Sequence, residues 1–512
     1  SPATITAAGA VPLTPLPTAS ARRTRPTKNS TALTCISSGV SVGCTLMSVS
    51  EVDGGASSTA KQHHRLAMMR TPLRFVAMIL AGAALSACDR LPDYFGANEA
   101  PPLPGQRLSV LALESKIEPD PRIADLDVRL PPPYVNESWP QSGGYPDHAM
   151  HHLAGAERLA PFWRVSIGKG SGDDGRILTT PVVAGGRVFA IDAEAEISAF
   201  DANTGDRLWH IDPRVEDGER DGFGGGLAVA NGWLFVSTGF GHVLAIDPAN
   251  GAVLWRHDLG IPMRAAPTVA GKRVFAITYD NQLWVLAAED GAVQWSHAGI
   301  SETAGLLGAA APAVDGDIVI APYSSGELLA LRVENGRTVW SDSIGVLRPG
   351  TGSLAALNDI NGSPVIDRGV AYAISHGGRL VANDVRTGSR VWEQDIAGLN
   401  TPWVAGEFIF VVTVDGDVVC LARRNGRVRW VQSLPRYEDA ESRDEPVFWN
   451  GPLLLSDRLI VLGSNGDAVA ISPYSGRLLG RLEMPHGVRV APIAANGTLY
   501  VLTDDGDLIA LR

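Results

Sequence analysis

The chain has 512 residues, 45% hydrophobic and 19% charged, which is ample for a large buried core. Its formal net charge of −12, which deepens to −18 if residues 1–87 with their eight basic and two acidic side chains are removed, disfavours nucleic acid as a partner. Four cysteines, at 35, 44, 88 and 420, are too few for a disulfide framework to hold such a chain together.

Residues 1–67 are rich in Ser, Thr and Ala and hold no repeat, and they are expected to be disordered or a mis-called extension upstream of the true start. Residues 68–87 read as a secretory signal. Met68 and Met69 are followed by Arg70 and Arg74, then by the 13-residue apolar run Phe75 to Ala87, too short to span a bilayer as a helix. Such signals work only near an amino terminus, so translation is expected to begin at Met68 or Met69. Leu85-Ser86-Ala87-Cys88 resembles a bacterial lipobox at every position, and that resemblance implies that Cys88 becomes the first mature residue and carries the lipid anchor. The alternative is an ordinary signal with an incidental cysteine. Asp89 resembles the inner-membrane retention signal of enteric bacteria, which leaves outer against inner membrane open.

Residues 88–158 are expected to form a lipid-anchored, Pro-rich tether and a lead-in segment. Eleven prolines between Asp89 and Glu157 favour extended, semi-rigid chain over a packed domain. Trp139 to His152, WPQSGGYPDHAMHH, is expected to lie folded against the domain that follows. His148, His151 and His152 have helical i, i+3, i+4 spacing and could bind a metal. Nothing nearby supplies Cys or a paired acidic ligand, a polar surface turn explains them equally well, and no metal is assigned.

From residue 159 onward the sequence repeats. DANTGDRLW, Asp201 to Trp209, sets a phrase of a turn residue, a glycine and a tryptophan four positions later. It returns at Gly251 with Trp255, Gly291 with Trp295, Gly336 with Trp340, Gly388 with Trp392, and Gly426 with Trp430; a seventh copy, Gly476, has Gly480 where Trp belongs. The glycines lie 46, 40, 45, 52, 38 and 50 residues apart, within the period of propeller blades. Hairpin-like pairs of apolar runs begin near Val183, Ala228, Thr268, Ala313, Val365, Val404, Leu453 and Ile493. The eighth lacks a strand after it, and Pro161 to Ile167, with Trp163 in the repeat position, is expected to supply it. The predicted fold is therefore all-β: an eight-bladed propeller over 159–512, of four-stranded antiparallel blades, closed by strands from both ends of the domain.

The repeat also assigns roles. Thr, Asn, Asp or Ser before Gly closes the turn into the outer strand. Trp163, Trp209, Trp255, Trp295, Trp340, Trp392 and Trp430 are expected to dock blade on blade and give their indole N–H groups to nearby carbonyls, because so many copies at one repeat position argue for architecture over an aromatic ligand site. Cys420 falls where sister hairpins carry Ala or Val, so it reads as a small core residue. Gly224-Gly225-Gly226 reads as the crowded start of an inner strand, since no Gly-rich loop is followed by Lys and Ser or Thr.

The phrase resembles the pyrroloquinoline-quinone-type propeller repeat, and lipobox plus eight repeats is similar to the BamB-like family of outer-membrane assembly lipoproteins. The resemblance spans the whole propeller. It implies a non-enzymatic periplasmic scaffold of the β-barrel assembly machinery, without cofactor, held at the outer membrane, that binds the POTRA region of the barrel-inserting subunit, works with other assembly subunits and aids unfolded outer-membrane proteins. Quinone-dependent dehydrogenases share the repeat, but this propeller has no adjacent cysteine pair and no c-type haem motif. Another periplasmic interaction propeller and, more remotely, a dehydrogenase stay open as alternatives. The long connections 297–308, 341–362 and 431–450 favour one rim for binding. The family's partner-binding pattern carries over to Leu306 and Asp359, while Ala304, Leu307 and Asn361 depart from it and Arg348 could restore a lost cation; the resemblance thus implies a site at Leu306, Leu307, Arg348, Asp359 and Asn361. The bland reading is that Leu306 packs under its loop and Asp359 caps a turn.

Overall fold

The computed structural model describes residues 116–512, apart from 174, 216–221, 223, 303–304 and 346–356. Cys88, Asp89, the signal segment and Arg348 lie outside the described residues.

Alternating apolar strands separated by two- to six-residue turns fold into eight four-stranded antiparallel sheets, seven of them with their strands in chain order. Blades 1–7 cover 182–211, 225–258, 268–298, 313–343, 365–394, 403–433 and 449–483. Blade 8 takes Ile493–Ala495, Thr498–Leu502 and Asp507–Leu511, and its outermost strand is Pro161–Ser166, paired through Trp163↔Ala510 and Ser166↔Asp507. The eight-bladed ring, closed by strands from both ends of the domain, is thus the predicted one. The middle strands carry the core: Phe408–Val412 and Ile318–Pro322 are buried at every position, whereas the outer strands are half-exposed.

The repeated phrase joins neighbouring blades. Each of the seven tryptophans donates its indole N–H to a main-chain carbonyl of the next blade's outer turn, at 2.7–3.1 Å. The glycine of that turn lies under the same indole. A Cβ at Gly388 (φ 74°) would stand 2.5 Å from Trp340 Cγ, so this position needs glycine twice, for its backbone and for the ring above it. Cys420 pairs with Trp430 across the two outer strands, with a register shift immediately after it. The thiol is buried, and burial pushes its pKa well up. Gly225 and Gly226 begin the inner strand of blade 2, where a Cβ at Gly226 would press on Ala266.

Residues 134–156 form a strap along the innermost strands, with hydrogen bonds to all eight blades. Trp139 and Val183 of blade 1 exchange main-chain bonds at 2.8 Å; Val229 of blade 2 donates to Pro140; the Gln141 side chain bonds both main-chain groups of Val269 in blade 3. Val314 and Ile366 of blades 4 and 5 donate to Pro146 and Asp147. The Trp403 indole of blade 6 donates to His151, Leu153 joins blade 7, and Asn136 joins Ala494 and Asn496 of blade 8. Within this ring, Trp139 stacks on Trp403 with centroids 6.3 Å apart.

The strap corrects the expectation of a polar surface turn. His148 and His152 are 4% and 1% exposed, and no helix forms there. His148 (φ 61°) donates from Nδ1 to Pro364 at 2.7 Å; His152 donates from Nδ1 to Pro131 and accepts from the Asp457 N–H at Nε2; His151 approaches Asp367 at 3.9 Å. The three rings therefore serve separate partners, and turns with positive φ at His148 and His151 replace the helix that their spacing suggested.

Candidate partner-docking site

Hairpin turns between second and third strands and connections between blades share one rim of the ring, opposite the strapped one. Between blades 3 and 4 this rim carries a small recess open to solvent. Its walls come from Arg264, the turn at Tyr279 and Asn281, the connection around Leu306, and Asp359 to Asn361. Leu306 and Asp359, 53 positions apart in sequence, meet directly: the Leu306 N–H donates to Asp359 Oδ1 at 2.9 Å.

Asp359 is 5% exposed, and among the described residues its Oδ2 has no hydrogen-bond donor. Burial pushes this carboxyl above the usual range, opposed by the Leu306 amide. The Asp359 carbonyl accepts from the His376 N–H at 2.9 Å, which fixes the loop from its far side. Asn361 packs over Gly308 (φ 97°), where a Cβ would come within 3.0 Å of the Asn361 Oδ1. Leu306 is half-buried, the next residue, Leu307, is 52% exposed, and Tyr279, which lines the recess, is 42% exposed, so the recess carries apolar surface at its edge. Arg264 lies over the Tyr279 ring, 4.3 Å from its centroid. The arrangement offers apolar contact around one buried acceptor, a combination suited to docking a polypeptide.

Sequence reasoning missed Asn281, which organises the loop. Its Oδ1 accepts from the Ser324 N–H, its Nδ2 donates to the Ile300 carbonyl at 2.6 Å, and its own carbonyl accepts from Gly299. The signal was present: Asn281 (φ 63°) occupies the turn position that Gly241, Gly326, Gly378, Gly416, Gly466 and Gly506 hold in sister blades. Blade 1 also departs there, with Ala195 (φ 65°), and what sets Asn281 apart is the set of hydrogen bonds its side chain makes.

A family model described as outer membrane protein assembly factor BamB matches residues 159–220 and 193–432, together more than half of the chain. The chain belongs to the BamB family. It is 28% identical over 360 residues to the BamB of Xanthomonas campestris, covering 69% of this chain and 86% of that protein. With the BamB of Yersinia pestis it shares 27% over 354 residues, 68% of this chain and 87% of that one. The crystal structure of BamB from Moraxella catarrhalis superposes with a TM-score of 0.57 at 20% identity, over 69% of this chain and all of that one. A quinohemoprotein alcohol dehydrogenase from Comamonas testosteroni reaches 0.55 at 13% identity, over 73% and 80%. At such identities both likenesses concern the fold alone. Family membership makes this chain a relative of outer-membrane protein assembly factors.

Proposed function

We propose that this protein is a non-enzymatic scaffold subunit of the β-barrel assembly machinery, held to the periplasmic face of the outer membrane by lipid on Cys88. The recess between blades 3 and 4 docks a POTRA domain of the barrel-inserting subunit, and the scaffold aids assembly of unfolded outer-membrane proteins. The observation that carries the reading is the meeting of Leu306 and Asp359 at an apolar-lipped recess in a BamB-family propeller. Leu307 and Asn361, on the same two connections, complete the docking surface, and Arg348, outside the described residues, is the cation that the family resemblance adds to the set. The enzymatic alternative rests on likeness of fold alone.

The test is co-purification of the POTRA-bearing barrel protein with the natively lipidated chain from solubilised envelopes. Leu307→Asp combined with Asp359→Asn keeps a buried charge from being reversed and leaves the core intact, so the melting temperature should hold within a few degrees while recovery falls about tenfold or more. Unchanged recovery would remove this recess as the docking site. Capture of inner-membrane or cell-wall components alone would favour another periplasmic interaction propeller and make Asp89 a sorting signal.

A further inference from the structure

We propose that residues 152–157 of the strap are the eighth latch of the ring: they hold shut the seam between blades 7 and 8, so this seam opens only together with the release of the strap. Seven seams are joined by a tryptophan over a turn glycine. The eighth lacks both partners. Blade 7 carries Gly480 in the tryptophan position, on an outer strand exposed along its whole length, and a Cβ there would meet nothing within 4 Å. Blade 8 has no receiving turn, because its outermost strand is reached from Ala160.

The strap crosses blade 7 immediately before it enters that strand. Leu153 bonds both flanks of one hairpin turn, donating to Leu454 at 3.3 Å and accepting from Ser456 at 2.8 Å. The Ser456 hydroxyl accepts from the Gly155 N–H at 2.7 Å and donates to the Gly155 carbonyl at 2.9 Å. Arg458 donates to the carbonyls of Ala156 and Glu157. A Cβ on Gly155 would strike Leu455 at 2.6 Å, so the strap lies flush on the blade.

A second observation points to the same place. The turn between first and second strands contains glycine in seven blades: Gly186, Gly232, Gly271, Gly316, Gly369, Gly406 and Gly497. In blade 7 it is Ser456-Asp457, with φ of 43° and 60°. Two non-glycine residues in the left-handed region are costly and persist where surrounding contacts over-determine them. Most of those contacts come from the strap: the Ser456 N–H and hydroxyl bond Leu153 and Gly155, and the Asp457 N–H bonds His152, while the Tyr474 hydroxyl of blade 7 donates to the Asp457 carboxylate. The one turn without glycine is thus the one under the clamp.

Hydrogen–deuterium exchange on the intact folded protein tests the latch. In the unmodified protein, the amides of Leu153, Gly155 and Ser456 and those of strands 458–463 and 498–502 should open as one unit, with a shared dependence on denaturant. Ser456→Ala and, separately, Arg458→Ala should speed exchange of that unit on the order of tenfold, leaving blades 2–4 unchanged. Separate opening of strap and seam in the unmodified protein, no change in either variant, or an equal increase in every blade would overturn the proposal.

Discussion

The seam between blades 4 and 5 and that between blades 7 and 8 occupy equivalent places in the ring and are built differently. At the first, Trp340 is 8% exposed, donates to Val385 at 2.7 Å and covers Gly388. At the second, Gly480 faces open space, Leu478 and Leu479 are 53% and 52% exposed, and the blades meet through a shared apolar core of residues such as Ile460 and Tyr500, with the strap's bonds to blade 7 at the strapped rim. The dock is a pair spread over two successive repeats, so a repeat that cannot offer the glycine turn frees its predecessor from keeping the tryptophan. The exception in a repeat array therefore marks where the circle is closed by other means.

Three substitutions break or sharpen this contrast. Trp340→Ala removes a buried indole and its hydrogen bond and should cost about 3–5 kcal/mol in equilibrium denaturation; a loss below about 1 kcal/mol would mean the docks contribute little. Next is the strap. Burial holds the His148 imidazole down to about 4, and its Nε2 is buried with no partner among the described residues. Its folded pKa is below the ordinary value near 6.5, so its contribution is complete above about pH 6.5 and is lost as pH falls toward 4, up to about 3 kcal/mol. Denaturation at pH 7.5 and 4.5 should show His148→Asn, whose side chain tolerates the positive φ, with a smaller acid loss than the parent; equal losses would assign acid sensitivity elsewhere. Smallest is Gly480→Ala, which should shift stability by no more than about 0.5 kcal/mol. A loss like that of Trp340→Ala would erase the distinction between the seams.

Blade boundaries were legible because every blade must solve the same turn and docking problem with the same residue types. Even the irregular seam was visible, as Gly480 in place of Trp. That Trp139 to His152 lies against the propeller was legible, but its course over all eight blades was not, because many of its bonds are main-chain and leave no periodicity. The spacing of His148, His151 and His152 pointed to a helix for the same reason: the positive φ values that separate their rings have no compositional mark beyond nearby glycines. At the recess, Leu306 and Asp359 were singled out by the family resemblance, and the structure brings them together through the Leu306 N–H donating to Asp359 Oδ1. Asn281 was readable only after aligning the turns, where it departs from glycine. Its role in holding Ile300 and Ser324 depends on two distant loops converging, which local sequence does not encode.

The pairing of Pro161–Ser166 with Asp507–Leu511 also sets a schedule for folding. Arg164 and Asp507 are ion-paired across 343 positions, so the first strand of the ring is made long before its partner exists. Until the final strand emerges, the strap and Pro161–Ser166 have no complete surface on which to settle, and the contact that closes the circle is among the longest-range in the chain. A polypeptide interrupted anywhere before residue 507 leaves blade 8 with an open edge, the feature that invites mispairing and degradation. Closure of this ring consequently waits on Asp507–Leu511, the partner of Pro161–Ser166.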